Sequence, residues 1–156
     1  DEYFKSPEFF YGPTIVVKLS GNQYNPHWEV TKAELESALT RALKGKAFPG
    51  KILLTSENYP ENDHDYHKPE CILTLSQEAA DYLCTFSNFN LYGTSWKSSD
   101  YKPGSPDRPI HKTLFSKAVI LECLNLQKVP EGIYFLSSFP LKIKGASESP
   151  ACPVLF

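Results

Sequence analysis

The chain has 156 residues, 41 % of them apolar and 22 % charged, with a net charge of −2 at pH 7 and a pI near 6.1. Those figures suit one globular domain (1–156) able to bury a sizeable core, and they are too apolar for a disordered chain. No apolar run approaches the roughly 18–20 residues that cross a bilayer, and the basic excess that drives general nucleic-acid binding is missing.

Ten Phe, nine Tyr, two Trp and 13 Pro favour a loop-rich fold carrying sheet over a helical bundle. The aromatic start EYFKSPEFFYGP (2–13) reads as core and edge packing, and TIVVKL (14–19) as the first strand. VTKAELESALTRALKG (30–45) then carries a complete helix signature. Thr31 and Glu34 have the spacing of a capping box, Val30 and Leu35 that of a hydrophobic staple. Leu35, Ala38, Leu39, Ala42 and Leu43 recur at helical spacing, and Gly45 can take the left-handed cap. One amphipathic helix over 31–44 follows.

KILLT (51–55), CILTL (71–75), KAVILECL (117–124) and IYFLSSF (133–139) are short apolar runs bounded by turn residues and read as strands. LKIKG (141–145) alternates apolar and charged, as an edge strand would. SQEAADYLCTF (76–86) fits a second short helix. GTSWKSSDYKPGSPDRPIHKT (93–113) reads as one long loop. The sequence shows no internal repeat. A helix able to bury only one stripe, beside several strands, implies an α+β fold: the 31–44 helix packed on a central antiparallel sheet.

Four cysteines, Cys71, Cys84, Cys123 and Cys152, show no CxxC spacing, and their even number fits two disulfides in a secreted protein, with buried thiols as the alternative. The absence of methionine means that Asp1 is not a translational start, as expected after removal of a secretory leader or for a fragment of a longer chain.

The densest chemistry lies in ENYPENDHDYHKPE (57–70). His64 and His67 lie close to Asp63, Asp65 and Glu70, but Pro60, Asn62, Asp63 and Pro69 favour irregular backbone that would not aim both rings at one ion. No metal centre is expected there. Acid–base chemistry is the other reading, because RNA cleavage needs a base, an acid and a cation for the phosphoryl charge.

The order of the helix TKAELESALTRALKG, the loop NYPENDHDYH and the stretch YKPGSPDRPI resembles the small guanyl-specific fungal ribonucleases over residues 30–125. The resemblance implies a ribonuclease-like fold with a damaged site. Tyr59 stands for the loop tyrosine, Glu61 occupies the position of a catalytic histidine, and Arg108 matches the phosphate-binding arginine. Tyr59, Glu61 and Arg108 would form a vestigial phosphate site, with His64 and His67 as replacement catalytic groups if activity survives. Lost catalytic residues and a trimmed start resemble the RNase-like secreted effectors of mildew-type plant-pathogenic fungi.

That resemblance implies a virulence or avirulence protein, not an enzyme. It would be secreted and then enter the host cytoplasm, without cofactor, metal or membrane partner. It would be monomeric when free, binding a host protein or a plant immune receptor and RNA only weakly. Two other readings stand beside it: an active guanyl-preferring ribonuclease, and an unrelated secreted β-rich binding module.

Overall fold

The computed structural model describes residues 6–21, 23–60, 71–101 and 106–156. After a 3-10 turn at Pro7–Phe9, the elements run β1 (Tyr11–Leu19), β2 (His27–Val30), α1 (Lys32–Leu43), β3 (Lys51–Ser56), β4 (Ile72–Leu75), α2 (Gln77–Thr85), β5 (Leu91–Thr94), α3 (Pro109–Phe115), β6 (Val119–Leu121), β7 (Gly132–Ser137) and β8 (Val154–Leu155).

Six strands form one mixed sheet in the order β6-β5-β3-β1-β7-β8. β1, β3, β5 and β6 run parallel, with Ile15 opposite Ile52 and Ile52 opposite Tyr92. β7 and β8 add an antiparallel end. β2 and β4 make a separate two-stranded parallel ladder.

Parallel neighbours require crossover connections, and the chain supplies three in succession. β1 reaches β3 through β2 and α1, β3 reaches β5 through β4 and α2, and β5 reaches β6 through α3. The first two crossovers share one plan, a short strand followed directly by a capped helix. Thr31 and Glu34 form the anticipated capping box on α1, and Ser76 accepts from Ala79 N at 3.2 Å on α2. The plan thus repeats in topology while the sequence does not.

All three helices cover one face of the sheet. Leu35, Ala38 and Leu39 of α1, Ala79, Ala80 and Leu83 of α2, and Ile110 and Leu114 of α3 pack with Ile15, Val17, Ile52, Leu54 and Tyr92. The opposite face holds a smaller core of Val16, Leu53, Leu91, Val119 and Leu136, closed by Phe10, Leu124 and Leu126. Gly93 is needed at this second layer. A Cβ there would stand 2.4 Å from Leu53 Cδ2 and 2.6 Å from Leu124 Cδ1.

This architecture corrects the expected single helix on a central antiparallel, ribonuclease-like sheet. The reason lies in burial: β3 and β5 are covered on both faces, as strands of a parallel sheet beneath crossover helices are. α3 and β5 emerge from the segment read as one long loop and its approach. The edge position expected of 141–145 belongs instead to β8, which pairs Val154 with Ser137; only a single bridge, Pro140 to Ala151, forms near that segment.

Candidate active site at the carboxyl edge of the parallel strands

In open sheets with parallel strands, ligands bind outside the carboxyl ends of the strands. Here that edge carries two polar groups. At the ends of β3 and β5 lies a floor of hydroxyls. Ser95 Oγ bonds Thr55 Oγ1 at 2.9 Å, Tyr24 OH and Ser56 Oγ lie 2.9 Å apart, and Tyr59 OH donates to Ser95 O at 3.3 Å. Burial raises the Tyr24 phenol to about 12 and pushes Tyr59 up as well, so both stay protonated.

At the ends of β5 and β6 lies a buried charged cluster. Asp100, on the chain leaving β5, turns back onto the start of α3. Its Oδ1 accepts from Ile110 N at 3.0 Å, and its Oδ2 accepts from His111 N at 3.2 Å. Pro109 at the first helical position has no N–H to offer, so one carboxylate satisfies the next two donors. The same Oδ2 lies 2.5 Å from His111 Nδ1. The other ring nitrogen, Nε2, lies 3.1 Å from Oε1 of Glu122, the residue that follows β6.

Glu122 Oε1 also accepts from Ser99 N at 2.5 Å and Ser99 Oγ at 2.9 Å. Every hydrogen bond that Glu122 makes among the described residues therefore falls on Oε1, leaving Oε2 as the oxygen that can meet a water. The Asp100 and His111 side chains are each 6 % exposed, and that of Glu122 is 24 % exposed. Glu122 is thus the solvent-reaching end of a buried relay.

Burial opposes a charge on His111, but its hydrogen bonds to Glu122 and Asp100 outweigh that cost and hold the pKa above the usual histidine value. Arg108 Nη2 lies 2.5 Å from the same Nε2. One nitrogen cannot both donate to Glu122 and accept from Arg108. The protonated ring therefore donates to Glu122, and the neutral ring accepts from Arg108. Arg108 takes a left-handed backbone, φ 34, at the N-cap of α3, which brings its side chain into this contact.

The expected site residues are not gathered in this way. Tyr59 and Arg108, assigned together to a phosphate site, bond to Ser95 and to His111 respectively. Glu61, His64 and His67 lie outside the described residues. Cys71, Cys84, Cys123 and Cys152 form no disulfide. Burial raises the thiol pKa values of Cys84 and Cys123, which makes them poor nucleophiles at neutral pH.

Asp100, Ser99, His111 and Glu122 are not among the site residues expected from the sequence. Two signals pointed to them: Pro109 followed two residues later by His111, as a helix start would be, and Glu122 inside the apolar run KAVILECL.

No protein-family model matches the chain, and no curated protein matches it. Solved structures do. One described as a potential metal-dependent hydrolase with cyclase activity aligns with a TM-score of 0.68 at 24 % identity, over 96 % of this chain and 67 % of its own. A predicted metal-dependent hydrolase from Bacillus stearothermophilus gives 0.64 at 25 %, over 93 % and 63 %. Isatin hydrolase A from Labrenzia aggregata gives 0.70 at 23 %, over 96 % and 62 %. The chain thus spans about two thirds of the length of these neighbours.

The likeness places the fold with hydrolases of this architecture. It overturns the ribonuclease-like resemblance, and with it the effector and non-enzyme readings that rested on that resemblance. Helix-to-strand order was a poor guide because it carries no information on strand direction.

Two of the neighbours are described as metal-dependent. Among the described residues no group of three or more His, Cys, Asp or Glu side chains could hold a metal ion. The nearest approach to one is Asp100, His111 and Glu122, where both ring nitrogens already face hydrogen-bond partners and no lone pair is left for a cation. The described residues do not fit a metal, and no step is built on one.

Proposed function

We propose that the chain is a hydrolase of small carbonyl compounds, with Glu122 as the general base for the attacking water. The observation that carries this reading is the Glu122–His111–Asp100 relay at the carboxyl edge of the parallel strands, with Glu122 at its open end. Support comes also from the fold it shares with isatin hydrolase, an enzyme named for its action on a small aromatic carbonyl compound.

In this scheme Glu122 Oε2 takes the proton of a water as it adds to the carbonyl carbon, and Glu122 returns that proton to the leaving atom. His111 holds Glu122 through Oε1, and Asp100 fixes the ring. Arg108 stands beside the ring to take up Nε2 whenever His111 is neutral.

Isatin and a panel of aryl esters and amides provide the test. Glu122→Gln keeps the shape and removes the base, so kcat should fall about 10²–10⁴-fold. Unchanged turnover in a folded Glu122→Gln protein removes the base from Glu122 and overturns the scheme.

A further inference from the structure

Among the described residues the helices pack mainly on the β1–β3–β5–β6 part of their face of the sheet, and side chains at its antiparallel end stay exposed. Ile133 lies opposite Ile15, Val154 lies opposite Ser137, and Phe156 exchanges backbone hydrogen bonds with Phe135, so Ile133, Phe135, Val154 and Phe156 all point to the helix side. Tyr11 closes the strip at the start of β1. Its ring meets Phe135 edge-on at 4.7 Å and stacks with Phe139 at 6.2 Å.

These six side chains are exposed by 38–76 %. An aromatic side chain offers about 150–250 Å². The strip therefore leaves on the order of 600 Å² of apolar surface in water, at the top of what a monomer exposes. A standard interface buries about 800 Å² per partner, so the strip with its margin is large enough to form one.

We infer that this strip is a dimer interface, closed by the same strip of a second copy of the chain across a two-fold axis. Three features favour a second copy as the occupant. None of the six side chains carries a charge, so a like surface meets no like charge there, and the chain's net charge of −2 gives only weak repulsion. A two-fold contact needs one self-complementary patch, and a flat aromatic strip stacks on its own copy. The rings already hold one another, so docking freezes little further motion.

The strip sits at the β7–β8 end of the sheet, away from Glu122 beyond β6, and the inference stands independently of the proposed chemistry.

Sedimentation velocity of the purified chain at tens of micromolar should report twice 17.6 kDa. Phe135→Asp and, separately, Val154→Lys should each shift the species to the 17.6 kDa monomer while far-UV circular dichroism stays unchanged. Val154 lies on a two-residue outer strand, so its variant keeps the test open should Phe135→Asp fail to fold. A wild-type chain that sediments as a monomer overturns the inference. So does an assembly that both folded variants leave intact.

Discussion

At the scale of single residues, His111 shows how neighbours decide a charge. Burial alone would keep the ring neutral; the two carboxylates reverse that. Because the folded pKa lies above the ordinary 6.5, the ring's contribution to stability is fully present below pH 6.5 and is lost as pH rises through the folded value. The denaturant midpoint should therefore decline across that window. His111→Gln should lower the midpoint at pH 6 and flatten the decline above it, and equal slopes in the two proteins would show that another group governs it. Lys51 shows the opposite balance, as burial lowers its pKa although Nζ reaches Asn90 Oδ1 at 2.9 Å. Its role is structural, tying β3 to the start of β5.

At the scale of elements, α1 is the part most fully written in local sequence. The capping box forms, with Thr31 N donating to Glu34 Oε2 at 2.8 Å, and Leu35, Ala38, Leu39 and Ala42 are buried. The left-handed cap falls on Lys44 as well as Gly45. Thr31→Ala should cost about 1 kcal/mol in denaturant melts, and Leu39→Ala about 2–5 kcal/mol from lost transfer energy and the cavity left behind. A ratio near one between them would mean that the stripe does not face the core. Arg41 on α1 also reaches Glu131 beside β7, at 2.8 Å, so the helix bridges the parallel and antiparallel parts of the sheet. The elements that went unread, β2, β5, β8 and α3, have two to seven residues each, too short for periodicity to stand out.

At the scale of the whole molecule, thiols and topology correct two inferences from composition. The four cysteines form no bridge, so denatured protein prepared without reductant should titrate four thiols with a chromogenic disulfide reagent. Two or fewer would restore the disulfide pairing expected from the even count. No helix among the described residues is long and apolar enough to cross a membrane. The fold is held by a two-faced parallel core, which fixes where strand ends, and with them the polar groups, come together.

The sequence by itself determined the strands at 14–19 and 51–55, the helices at 31–44 and 76–86, and the caps of the first helix, because those features depend on side chains within a few residues of one another. Only the tertiary structure decided that KILLT and TIVVKL run parallel. An unbroken apolar run states that both faces are buried, but the direction of the neighbour is set by crossovers whose handedness and length act across tens of residues. The candidate site was hidden for the same reason. Asp100, His111 and Glu122 lie 11 residues apart in each step along the chain, in a loop, a short helix and a strand end, and no local pattern relates them. The sheet makes them neighbours by bringing the ends of β5 and β6 side by side, and burial then turns three ordinary polar residues into one relay.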